Sequence, residues 1–358
     1  MTWLRTHASA PIRLRTLTEI LPPEAVDREE VAALRTELLQ YKGVTEIIKK
    51  QRSNGVWASN ILGLGESKSL GIKDIGTVSQ YRRLLELGVP ATDGAVQLTN
   101  RLFYRLLSRD VDPKLLFEYQ KAAKTNPDLV IWARASMHEA AAAALAHAGL
   151  VEDPRVRGAA QHVVDALSHF LKSDAATKPT VKKGMRHILN PDAHPPSIYS
   201  VALLAYMPNF QREQASFIEL LQQFLAQPAP KKSFVVLVGK KSYKPTTQIL
   251  GDPLQNDSAG RPKDLPFALH WMELLARLNW LRASPSAQRA LARLLKDCDA
   301  EGVWTAKGLR SFPKSPAGLT GFTFPLERSD KKQEARRADV TFRLAHLAKL
   351  MGLELEYR

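Results

Sequence analysis

Apolar residues recur three or four apart along almost the whole chain, and runs that alternate apolar with polar are few. This spacing predicts helices over 30–41, 44–50, 79–87, 96–107, 135–148, 156–171, 197–206, 214–225, 266–278, 286–295 and 338–351. One stretch departs from it. Phe234, Val235, Val236, Leu237 and Val238 are bulky or β-branched and stop at Gly239, which predicts a strand over 233–238. The pattern reads as an all-α chain with one small β-hairpin insertion.

The helices pair in a recurring way. Leu87-Gly88, Ala148-Gly149 and Leu278-Asn279 each end an apolar helix in a residue suited to a left-handed cap, and a second helix follows a short polar turn. Pro154 and Pro285 suit the first turn of the following helix. Tyr206-Met207-Pro208-Asn209 reads as a fourth such turn. Gly88, Gly149, Asn209 and Asn279 lie 61, 60 and 70 residues apart, a period near 60. A second echo pairs IIKKQRSNGVWA at 47–58 with LLKDCDAEGVWT at 294–305, an offset of 247. One hairpin cannot bury its apolar faces alone, so the units must stack.

Helical hairpins at this period, with Gly-x-Trp after the outer helix, resemble the α/α toroid of the terpenoid cyclase and prenyltransferase superfamily over nearly the whole chain. The resemblance implies a closed ring of hairpins, with an open solenoid of HEAT type as the alternative. It divides the chain into an N-terminal extension over 1–23 and one helical-repeat domain over 24–358, with a basic insertion around 228–264. The chemistry of that superfamily does not come with it, because neither its Asp-rich motif nor its Asp/Cys/His zinc site appears. No metal or other cofactor is expected. The lone Cys298 reads as a structural thiol, and P-loop, His-Glu-x-x-His and Gly-x-Ser-x-Gly signatures are absent.

Charge changes the picture more than any motif. The 358 residues carry 51 Lys+Arg against 36 Asp+Glu, a formal +15, which points to a polyanion and first to nucleic acid. The segment 172–244 holds eleven of the cations against four acidic residues. Lys182, Lys183 and Arg186 lie in its first loop, and Lys231, Lys232, Lys240, Lys241 and Lys244 bracket the predicted strand. These suit a phosphate-contacting wing, although lysines also guard exposed edge strands. Lys331, Lys332, Arg336 and Arg337 form a third cluster before the last helix. No apolar run is long enough to span a membrane, and 1–21 lacks the apolar centre of a signal peptide, so the expected location is cytoplasmic with no membrane or obligate protein partner.

In a toroid the N-termini of the inner helices converge on a positive mouth. Aligning the helix starts places His138 and Glu139, Asp264, and Asp339 there as candidate acids or bases, and Trp132, Trp271 and Tyr199 as candidate stacking platforms. Each has a structural alternative: Asp264 and Asp339 stand where N-caps stand, and Trp271 lies on a strongly apolar helix. The expectation is a DNA-binding enzyme that removes a modified base, in repair or in defence against foreign DNA, with a carboxylate stabilising the sugar cation or activating water. In style, though not in motif, the chain is similar to basic helical-repeat DNA glycosylases. The alternatives are a non-catalytic nucleic-acid-binding scaffold and a diverged toroid enzyme acting on an isoprenoid-like substrate.

Overall fold

Capping residues and prolines set the helix starts much as the sequence implies. In a computed structural model, described for residues 2–57, 61–62, 76–108, 126–245, 247–305, 324, 326–327, 333–353 and 355, Asp153 caps the helix Pro154–Leu171 and Ser284 caps Pro285–Lys296. The helices are α1 (Thr2–His7), α2 (Ala10–Arg15, continued by a π-helical turn over Thr16–Ile20), α3 (Arg28–Gln40), α4 (Lys42–Ile48), α5 (Thr77–Glu86) and α6 (Gly94–Leu107). They continue with α7 (Pro127–His147), α8 (Pro154–Leu171), α9 (Asp174–Thr177), α10 (Ile198–Ala205), α11 (Pro208–Glu213) and α12 (Ala215–Leu225). The last three are α13 (Leu265–Arg277), α14 (Pro285–Lys296) and α15 (Gln333–Leu350). The protein is mostly helical.

The central helix is α7. Ala140 to Ala146 are all buried, and these small residues let α5, α6, α8 and α10 close on it from several sides. Contacts then run on from α10 to α13, from α13 to α15, and from α15 to α1 and α2. Arg15 of α2 reaches α5 by donating to the carbonyl of Glu86 at 2.9 Å. Against these pack α3 on α2, α6 on α5 and α7, α8 on α7, α11 on α10, α12 on α8 and α14 on α13.

Four helices end alike. Gly88, Gly149, Asn279 and Gly352 have φ of 93°, 81°, 55° and 65°, and each closes the helix before it with the paired Schellman hydrogen bonds. Gly352 adds a member the spacing does not predict. Asn209 is not one: it lies inside α11, and Met207 before that helix has φ −119°, outside the left-handed region. The two Gly-Val-Trp loops are also built alike. Gln51 bridges Trp57 and Cys298 bridges Trp304, and each Trp backbone N–H donates to a threonine, Thr77 or Thr341. A third loop of the same form joins Asn256 to Pro262, where Arg261-Pro262 in place of Val-Trp hides it from the sequence.

Two expectations need correction. Residues 2–20 are not an extension, because Leu4, Ile12, Leu17 and Ile20 are fully buried and α15 packs on them. The β part exceeds one hairpin: β1 (Thr180–Lys183), β2 (Arg186–Leu189), β3 (Phe234–Val238) and β4 (Lys241–Tyr243) form a mixed sheet in that order. β1–β2 and β3–β4 are antiparallel hairpins turning on Gly184 and Gly239, and β2 runs parallel to β3. Among the described residues no helix is long and apolar enough to cross a membrane.

Candidate functional site

The sheet has two unlike faces because its side chains alternate. Phe234, Val236, Val238 and Tyr243 pack toward the core. On the other face Lys183, Arg186, Ile188, Val235, Leu237, Gly239, Lys240 and Ser242 line an open groove of about 410 Å³, apolar in the middle and cationic at both ends. Lys182, Lys183, Arg186, Lys231, Lys232, Lys240, Lys241 and Lys244 are all exposed. Among the described residues no ion pair is formed by Lys182, Lys183, Arg186, Lys231, Lys232, Lys240 or Lys244. Two hairpins about 50 residues apart in the chain thus bring Lys183 and Arg186 from one and Lys240 from the other onto one groove. Arg337 is half-buried in α15, while Lys331, Lys332 and the side chain of Arg336 lie outside the described residues.

The start of α7 anchors this sheet. Asn126 donates through Nδ2 to the carbonyl of Val238 at 2.9 Å, and Gly239 passes so close to Asp128 that a Cβ there would clash. The candidate reactive residues are dispersed around it. Glu139 accepts from the Ser197 hydroxyl at 2.5 Å, remains half-buried, and is pushed above the usual carboxylate range by burial, against the pull of that hydrogen bond. His138 sits against the Leu107 carbonyl at 3.3 Å, and Trp132 is half-buried against the core.

The others are committed elsewhere. Asp264 caps α13 by accepting from the Phe267 N–H at 3.0 Å. Asp339 does not cap its helix; fully buried, it pairs with Arg343 at 2.6 Å and accepts from the Leu326 N–H. Trp271 is 1% exposed and stacked on Phe267, and Tyr199 is 2% exposed with its hydroxyl donating to the Leu62 carbonyl, so neither ring is open to a base. Cys298 is half-buried, and burial pushes its thiol up to about 11, where it stays protonated. Among the described residues no cluster could hold a metal ion.

A second charged region occupies the opposite end of the helices. Arg15 forks onto Glu19 with both contacts at 2.7 Å, and Arg277 grips Glu273 at 2.9 Å, where the Tyr206 hydroxyl also donates. His346 lies 3.6 Å from Glu19, Arg343 3.8 Å from Glu86, and His147 stacks on Tyr206 with centroids 4.5 Å apart. Exposure grows toward the helix ends, from 0% at His270 to 12% and 23% for the side chains of Glu273 and Arg277. The cluster therefore opens where α2, α5, α7 and α13 end.

Electrostatics here is largely self-compensating. Burial works to raise Glu19 and Glu273, but Arg15 with His346 at Glu19, and Arg277 with His346, His270 and Arg15 at Glu273, together outweigh it, and Glu273 falls well below the usual range. Burial and the surrounding arginines hold His147 and His270 far below their ordinary value, and burial takes His346 down to about 4. Glu86 moves the other way, raised by burial against Arg343 and Arg82. The arginines also face the negative ends of several helix dipoles. From the sheet-bound start of α7 to His147 is 21 residues, about 30 Å of helix.

No protein-family model matches the chain, and searches of curated proteins and of solved structures find no match either.

Proposed function

We propose that the chain is an α/α toroid that binds DNA through its four-stranded sheet. The closed sequence of contacts from α2 through α5, α7, α10 and α13 to α15 and back supports the toroid, as do the four like helix ends and the three like loops. The observation that carries the binding reading is that exposed Lys183 and Arg186 of one hairpin and Lys240 of the other line one groove, with Lys182, Lys231, Lys232, Lys241 and Lys244 exposed in or beside the same sheet. A purely protective role for lysines would concentrate them on the edge strands β1 and β4. Lys231 and Lys232 instead precede the interior strand β3, where no edge needs guarding.

Removal of a base is the reaction Glu139 would serve. A carboxyl raised by burial keeps its proton better than a free one and can deliver it to the leaving base as the N-glycosidic bond breaks and water adds to the sugar carbon, and Ser197 fixes its orientation. Asp264 and Asp339, occupied by a cap and an ion pair, are left out of this role.

Two assays separate binding from chemistry. Titrating a labelled duplex against the protein at rising salt should give a log–log slope of about −0.9 per phosphate neutralised. Incubation with plain and hypermodified DNA followed by alkali should yield breaks that Glu139→Gln abolishes without loss of binding. Binding without breaks on any substrate leaves the scaffold reading. No salt-sensitive binding removes both.

A further inference from the structure

We propose that the β1–β2 hairpin is an arm whose apex rests on the minor groove of duplex DNA and wedges the Met185 side chain between base pairs, bending the duplex. The proposal rests on the DNA-binding reading above and adds the mode of engagement.

The hairpin turn is the two-residue Gly184-Met185. Gly184 has φ 60° and Met185 does not enter the left-handed region, which is the II′ pattern with glycine first. This puts the Met185 side chain at the apex, 97% exposed, the highest value among the large exposed hydrophobic residues described. Nothing in the described fold covers it.

Strand directions show that this apex points away from the anchored end. β2 starts at the apex, β3 ends at Gly239 against α7, and the two are parallel with His187 opposite Phe234. The two hairpin turns therefore lie at opposite ends of the sheet, about 20 Å apart at 3.3 Å per residue. Lys182, Lys183 and Arg186 thus flank one exposed apolar side chain, and Lys231 and Lys232 lead into β3, the strand paired with β2.

The apex is also unfavourable as it stands. Lys183 and Arg186 are directly opposite across the strands, a like-charge pairing that weakens a hairpin, and among the described residues neither has an acidic partner. A polyanion on both sides relieves that repulsion. The minor groove of B-DNA supplies this arrangement: two phosphate rows flank a slot about 6 Å wide that admits a side chain rather than a strand, and an inserted methionine can unstack a step. A-form RNA, with its wide and shallow minor groove, offers no such slot.

The test uses the full chain and a 30-base-pair duplex carrying a donor and an acceptor dye at its ends, with binding read by anisotropy and bending by energy transfer. Wild type should raise transfer, most on duplexes with a central TA or CA step. Met185→Ala should bind within about threefold of wild type with the same salt slope and lose the rise in transfer, and Met185→Phe should restore it. Equal bending by wild type and Met185→Ala, or no bending by wild type when fully bound, would overturn the wedge while leaving DNA binding intact. The doubly reversed Lys183→Glu/Arg186→Glu should lose both signals. If it binds as wild type does, the arm is not a DNA contact at all. Failure of wild type to bind duplex would instead remove the DNA-binding reading.

Discussion

The two ends of the helices carry comparable numbers of charges and use them in opposite ways. At the end where the helices finish, Arg15, Arg277 and Arg343 are each locked to a carboxylate, and the imidazoles among them are kept neutral. At the end where α7 begins, the sheet cations stand in solvent, and among the described residues Lys182, Lys183, Arg186, Lys231, Lys232, Lys240 and Lys244 form no ion pair. Charge that is buried and matched holds a structure together once its desolvation cost is met, whereas exposed, unmatched charge adds little to stability and remains available to a ligand. The difference separates a structural network from a binding surface.

Substitutions can break this contrast from either side. The largest effect on stability is expected at Asp339. Its replacement by Ala takes the nearest carboxylate from the 6%-exposed Arg343 and the acceptor from the Leu326 N–H, and should cost about 3–5 kcal/mol in a denaturant titration. The same change should leave the DNA affinity of the folded fraction unaltered. Reversing Lys231, Lys232, Lys240 and Lys241 to Glu should do the converse, with the unfolding midpoint nearly unmoved and the salt slope of DNA binding flattened by about 3 to 4.

Acid should act on the matched end. Glu19 and Glu273 have folded pKa values below their unfolded ones, so their contribution is present above the unfolded value and is lost as pH falls through the folded one. His346, at about 4 when folded against 6.5, takes up its proton more readily in the unfolded chain, so stability falls between about pH 6.5 and 4. Glu86 and Glu139, both raised, contribute in the opposite direction. Thermal melts across that range should show the loss, and His346→Gln should reduce it. Unchanged melts would mean that the imidazole is not held neutral.

Smaller effects sharpen the local account. Ser197→Ala removes the cap of α10 and should cost about 1 kcal/mol. It should also move the pH profile of any Glu139-dependent reaction upward, since the hydrogen bond that favours the carboxylate is gone. Asn279→Ala, at φ 55°, should cost about 1 kcal/mol with no effect on binding.

Hydrophobic spacing makes most of the helices legible because they each show one apolar face. It misses α2, where Arg13, Arg15, Thr16 and Glu19 interrupt the face, although Arg15 is only 6% exposed. The same interruption hides the charged cluster, and it leaves a trace that can be read. Arg15/Glu19, Arg82/Glu86, Glu273/Arg277 and Asp339/Arg343 all stand four apart, on four helices of the same contact sequence. The strands β1 and β2 escape because four-residue strands rich in Lys and Arg show little alternation; only pairing with β3 gives them an apolar side. The strand 234–238 is legible because it is apolar on both faces.

The division between the two ends is tested most directly by anisotropy of a labelled duplex titrated across salt, with wild type, the sheet-reversed variant and Glu273→Gln compared under identical conditions. Tight, steeply salt-dependent binding by wild type and by folded Glu273→Gln, with a flattened slope for the sheet variant, is the expected result. Equal slopes for wild type and the sheet variant, or loss of binding by a fully folded Glu273→Gln, would contradict the assignment of DNA to the sheet.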